Sequence, residues 1–235
     1  MNWDPPEKPA EITESRLVQS ILDGVFPAGS NLPGERELAV QLGVTRPTLR
    51  EVLQRMARDG WIEIRQGKPT RVRDYWTEGN LSVLVAAALQ LKQLPPDFIP
   101  NLLDMRILIC PAYTRMAVER NPQAVAALLE DLSGLDSDPA AFARFDWSLH
   151  RQVTILSGNP FFTMFVNTVR PLYEVVGERY FQMETYRQHS TAFYEQLRQC
   201  ALRCDPDAAQ ALALKVMTDS ANMWRDVITA DRLNS

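Results

Sequence analysis

Apolar residues recur at intervals of three and four along most of the chain, and glycines and prolines interrupt the pattern at its breaks. Ile12, Leu17, Val18, Ile21 and Leu22 share one helical face, and Phe26-Pro27-Ala28-Gly29-Ser30-Asn31 ends that helix with turn residues. Pro33 and Gly34 open a short helix from Glu35 to Leu42, with Leu38, Val40 and Leu42 as its apolar positions and Gly43 suited to a positive φ beyond its end. Thr45 is a good N-cap, and Pro47 falls in the first turn of a third helix, where a missing N–H costs nothing. That helix reaches Arg58, carries Leu49, Val52, Leu53 and Met56 as its stripe, and is stopped by Asp59-Gly60. Trp61 to Arg65 then alternates as a strand, Gln66-Gly67-Lys68-Pro69 turns, and Thr70 to Arg73 returns.

Three helices and a hairpin predict a winged helix-turn-helix over residues 1–76. Beyond Trp76 the alternation vanishes. Residues 77–80 read as a linker, and 81–235 as an all-helical domain of about seven helices: Leu81 to Leu91, Phe98 to Glu119, Gln123 to Leu132, Ala140 to Ser157, Phe161 to Phe181, Arg187 to Arg203 and Asp207 to Thr229. The expected class is mainly α, with two domains.

Composition refines this picture. Of 235 residues 46% are hydrophobic and 23% charged, which allows a substantial core and excludes a disordered chain. The net charge of −4 does not announce a polyanion binder, so a cationic surface must be local. It is local: between Gly34 and Arg73 nine basic side chains face five acidic ones, over the helix-turn-helix and wing. Three cysteines without paired spacing fit a reducing compartment. The amino end, Met1 to Glu7, lacks the basic-then-apolar pattern of a leader, and the longest apolar run falls short of the roughly 20 residues that span a bilayer. A cytoplasmic protein without membrane contact is expected. No catalytic triad series, phosphate-binding loop or zinc-protease motif is present, so an enzyme is not expected.

A recognition helix enters the major groove by its amino end, where Arg pairs with guanine O6 and N7 and hydroxyls meet phosphate or thymine methyl. Thr45, Arg46, Thr48 and Arg50 occupy that end here. Arg36, at the start of the preceding helix, is placed to reach phosphate, and Gln66, Gly67 and Lys68 form a narrow wing tip for a minor groove.

The stretch LPGERELAVQLGVTRPTLREVLQRMARDGWIEIRQGKPTRV, Leu32 to Val72, resembles the DNA-binding domain of the GntR family of bacterial transcription regulators. Downstream, DYWTEGNLSVL, NLLDMR, SGNPFF and LYEVVGERYF resemble its FadR subfamily, so that the likeness spans nearly the whole chain. The resemblance implies a homodimer on palindromic operator DNA, DNA contact at Arg36, Thr45, Arg46, Thr48, Arg50, Gly67 and Lys68, and control of fatty-acid metabolism genes relieved by long-chain acyl-CoA. The chain departs from the subfamily at Gln66, where a histidine is usual, and at Pro47, where a threonine is.

For the helical domain the resemblance implies ligand contact at Arg106, Tyr173, Tyr180, Ser220 and Trp224, and no cofactor besides the acyl-CoA effector. The resemblance also implies a glycine near the coenzyme where this chain has Met217, so that either the adenine and pantetheine path is narrowed or the ligand preference is shifted. A sister branch instead holds a metal by one Asp and three His and senses small carboxylates or sugar acids. Asp146 and His150 match its first two ligands, but the remaining positions fall on Tyr194 and near Val216. With half the set missing, the expectation is a hydrogen-bonded pair or solvated contacts at Asp146 and His150 rather than a metal site.

Overall fold

The computed structural model describes residues 9–91, 95, 97–132, 135 and 138–233; the Met1 to Glu7 stretch lies outside them. The chain forms two compact units, 1–93 and 94–235.

In the first unit, α1 (Pro9–Leu22), α2 (Glu35–Leu42) and α3 (Arg46–Asp59) precede the hairpin strands β1 (Ile62–Glu63) and β2 (Arg71–Val72). The strands pair antiparallel, Ile62 opposite Val72 and Glu63 opposite Arg71. Segment 29–32, expected only as a turn, adds a third edge to this sheet: Gly29 N donates to Val72 O, Val72 N to Ser30 O and Leu32 N to Thr70 O. Leu17, Leu38, Leu49, Val52, Met56, Ile62 and Val72 form the centre of the core. Val40 does not join them. It is 78% exposed, because it lies two residues beyond the buried Leu38 and therefore on the opposite side of α2, and Ala39 fills the inner face.

The helix after the linker, α4 (Leu81–Gln90), is capped by Asn80, whose side chain accepts from Val83 N and donates to Asp59 O. Val83 and Ala87 belong to the first unit's core, together with α1 and α3 residues. The sequence pattern grouped this helix with the second domain; its apolar face sides with the first.

The second unit is all helical: α5 (Phe98–Arg120), α6 (Pro122–Leu128), α7 (Pro139–Leu156), α8 (Pro160–Thr168), α9 (Arg170–Tyr180), α10 (Glu184–Leu202) and α11 (Pro206–Leu233). Prolines open five of these seven helices, at N1 or N2, the positions where the ring's fixed φ helps and the absent N–H is not missed. The same chemistry corrects one expectation. Phe161 to Phe181 is two helices, since α8 ends at Thr168, Val169 caps both, and Pro171 has no N–H to carry the ladder across. The core runs through α5, α7, α10 and α11, with Tyr113, Ala117, Phe142, Val153, Tyr194, Leu197 and Ala213 among its members.

Candidate nucleic-acid interface and candidate ligand cavity

The turn between α2 and α3 is built by two residues whose roles are local. Gly43 takes φ 70, the left-handed value that ends α2, and Thr45 at φ −74, ψ 153 caps α3 by accepting from Thr48 N at 3.3 Å. This stacks Arg46 and Arg50 on the solvent side of α3, with Leu49, Val52, Leu53 and Met56 buried beneath. Arg36, Arg46 and Lys68 are exposed, and none of the ion pairs among the described residues engages them. Arg50 is exposed as well, but its Nε donates to Glu35 at 2.7 Å.

At the wing tip, Gln66, Gly67 and Lys68 are all exposed, Gly67 adopts φ 71, and Lys68 N closes the turn on Arg65 O at 3.2 Å. Below the tip Glu63 accepts from Arg65 at 2.6 Å and from Arg71 at 3.2 Å, and the Arg65 hydrogen bond above all holds its carboxyl down to about 2. Arg71 in turn grips Glu78 with both terminal nitrogens, at 3.1 and 2.5 Å. Of the residues expected at the groove face, Arg36, Thr45, Arg46, Arg50, Gln66, Gly67 and Lys68 are exposed, while Thr48 is half-buried with its hydroxyl 2.9 Å from that of Thr45.

In the second unit a largely apolar cavity of about 50 Å³ lies between α5, α7, α9, α10 and α11. Arg106, Tyr173, Tyr180, Ser220 and Trp224 all line it, and so do Met217, Asp146 and His150. Sequence reasoning missed Leu102, Leu103, Val176, Gly177 and Ser190 in the same wall. Gly177 carried a signal, being a glycine inside a helical run; a Cβ there would meet the Ala143 Cβ at 3.2 Å, so the glycine lets α9 approach α7. A second, almost wholly apolar cavity of about 40 Å³ adjoins it, walled by Ile109, Tyr113, Trp147, Phe165, Val166 and Val169. Leu102, Arg106, His150 and Tyr173 line both and form the partition.

The partition is a polar network in an apolar setting. Arg106 donates to His150 Nε2 at 3.3 Å and lies over the Tyr173 ring, 5.1 Å from its centroid. A guanidinium only donates, so His150 Nε2 is the accepting nitrogen and its proton sits on Nδ1, 2.9 Å from the Tyr113 hydroxyl. Burial pushes the His150 pKa down to about 4 despite the opposing field of Asp146, which agrees with a neutral ring. Asp146 accepts from Tyr194 at 2.5 Å and from the Tyr173 hydroxyl. Burial pushes Tyr113 and Tyr194 well above the ordinary tyrosine range and Tyr180 up to about 12, so all three keep their protons near neutrality. Trp224 Nε1 is buried in this region without a hydrogen-bond acceptor. An unpaired buried donor costs free energy and is relieved by an acceptor on a ligand.

Asp146 and His150 are 3% and 5% exposed, so the solvated contacts considered for them are absent. Their nearest atoms are 3.6 Å apart, and each is already engaged by other groups: two tyrosine hydroxyls on Asp146, a guanidinium on His150. The lone pair that would face an ion is turned to a cation of the protein itself. Among the described residues no group of three His, Cys, Asp or Glu side chains is placed to hold a metal, and no helix is long and apolar enough to cross a membrane.

Residues 9–72 match the family described as bacterial regulatory proteins, gntR family, and residues 73–232 match the FadR C-terminal domain. A fatty acid metabolism regulator protein of Haemophilus influenzae (strain PittEE) is 36% identical over 222 residues, covering 94% of this chain and 92% of that protein. The protein of the same name from Shewanella pealeana is 40% identical over 223 residues, covering 93% and 92%. Among solved structures, the Listeria monocytogenes protein titled as Lar, which controls expression of the agr system, superposes with a TM-score of 0.60 at 12% identity, covering 94% of this chain and 98% of the other.

Proposed function

The chain belongs to the GntR family of bacterial regulatory proteins, with a FadR C-terminal domain, and from that membership we propose that it is a cytoplasmic homodimer that binds a palindromic operator and releases it on binding long-chain acyl-CoA. The family and the relatives named above are transcription regulators, not enzymes. Genes of fatty-acid metabolism are the targets in this reading, as the relatives' names suggest.

The observation that carries the effector assignment is the convergence of Arg106, Tyr173, Tyr180, Ser220 and Trp224 on one small, largely apolar cavity. Its size supplies the switching argument. Pockets that hold drug-sized ligands measure roughly 300–1,000 Å³, so cavities of about 50 and 40 Å³ describe a closed state that a long acyl chain has to open. Joining the two requires the Arg106–His150–Tyr173 partition to part, which loosens α5 from α7 and α9. A ligand that binds only the opened arrangement shifts the equilibrium toward it, and that differential affinity is what regulation needs. In this reading Arg106 exchanges its His150 contact for a polar group of the effector, and Trp224 Nε1 gains an acceptor.

Tryptophan emission tests the assignment directly. Oleoyl-CoA titrated into the protein should perturb the emission saturably, and Trp224→Phe should lose most of that change; Arg106→Ala should weaken oleoyl-CoA binding at least tenfold while leaving the melting temperature within a few degrees. Saturable perturbation by citrate with zinc, and none by oleoyl-CoA, would replace the lipid effector with a small carboxylate.

A further inference from the structure

Glu35 is the first residue of α2, and its carboxylate meets Arg50 of α3, whose Nε donates to Oε2 at 2.7 Å. The side chains are 39% and 60% exposed, so the pair is screened by solvent and contributes little to holding the helices together. The hydrophobic positions Leu38, Ala39, Leu49 and Val52 do that work.

What the pair fixes is direction. A guanidinium offers an Nε–H and two terminal amino groups, and pairing with guanine O6 and N7 needs two parallel donors on one edge. With Nε committed to Glu35, the Nη1/Nη2 edge of Arg50 remains, and no described hydrogen bond of the protein uses it. The carboxylate is paired with the exposed Arg50 and follows directly before the exposed Arg36 in sequence, within the segment assigned to duplex DNA. An anion in that place repels every phosphate that approaches, whatever the sequence.

We propose that Glu35 is a specificity-determining positioning residue: it holds Arg50 end-on toward a guanine and lowers affinity for DNA of arbitrary sequence. The proposal rests on the assignment of this face to operator DNA.

The test uses the full chain, a duplex recovered by the wild-type protein from a randomised pool, and a scrambled duplex of equal length, with affinities followed across a salt series. Glu35→Ala should bind the scrambled duplex more tightly, with a salt slope steeper by about one, and its preference for the selected duplex should fall at least tenfold. Glu35→Gln keeps an oxygen for Nε but no charge, so it should tighten scrambled binding as Ala does and yet retain the preference within about threefold. In an Arg50→Ala background, Glu35→Ala should no longer change the preference, since the effect passes through Arg50. An unchanged preference in Glu35→Ala, or an equal fall in the Arg50→Ala background, overturns the proposal. Recovery of no preferred duplex by the wild-type protein overturns the DNA assignment of this face, and this proposal with it. Both side chains are exposed, and matching melting curves of the variants separate these outcomes from misfolding.

Discussion

Met217 is 4% exposed and lines the cavity, so its thioether occupies room a ligand would otherwise have. Met217→Ala is expected to strengthen oleoyl-CoA binding severalfold by calorimetry while lowering stability by about 2 kcal/mol or more, the usual cost of emptying a buried Met site. Equal or weaker binding in that variant would show that the methionine is part of the fit. His150 gives a second residue-scale expectation. Its folded-state pKa of about 4 lies below the ordinary 6.5, so the unfolded chain binds the proton more readily. The stability this group contributes is whole above pH 6.5, is lost as pH falls from 6.5 to 4, and amounts to about 3 kcal/mol over that interval. His150→Leu should therefore flatten the acid limb of the stability curve between pH 6.5 and 4, as read by urea denaturation; an unchanged limb would place the titration elsewhere. At this scale much was legible beforehand. Thr45 and Gly43 announce a helix start and stop by their own chemistry. The partners of Asp146 were not legible, because Tyr173 and Tyr194 reach it from α9 and α10 through tertiary packing that no local spacing encodes.

Elements show where the pattern misleads. The helical periodicity of Phe161 to Phe181 continues across Val169 without a break in hydrophobicity, and only Pro171 marks the division between α8 and α9. For α4, with buried Val83, Val85, Ala87 and Ala88, an apolar surface wraps too far round the helix for the sequence to say which domain it serves. The structure answers through the strap that precedes it: Arg71 holds Glu78, the Trp61 and Tyr75 rings pack tilted with centroids 5.6 Å apart, and Asn80 ties α4 to the end of α3. Gly79 is essential to that strap, since a Cβ there would lie 2.4 Å from the Tyr75 carbonyl oxygen. Gly79→Ala should destabilise the first unit by about 1–3 kcal/mol through overpacking, seen as faster amide exchange in α1, α3 and α4 with α5 to α11 unaffected. Exchange unchanged in α4 would mean the strap is not what secures it.

The chain carries a cluster of exposed basic side chains in one unit and a largely apolar cavity in the other. Neither is visible in the net charge of −4, which hides the nine basic against five acidic side chains between Gly34 and Arg73. The order of motifs made both halves legible, whereas the partition between two small cavities emerged only from packing. Coupling of about 1–3 kcal/mol between the halves is enough for a change of roughly 5- to 150-fold in operator affinity. The most direct measurement is fluorescence anisotropy of a labelled operator duplex bound by the full chain, titrated with oleoyl-CoA in one arm and with citrate plus zinc in the other. The account predicts release with oleoyl-CoA alone, and none from Arg106→Ala bound equally well to the same duplex. Operator occupancy indifferent to oleoyl-CoA, or release only in the citrate and zinc arm, would contradict it.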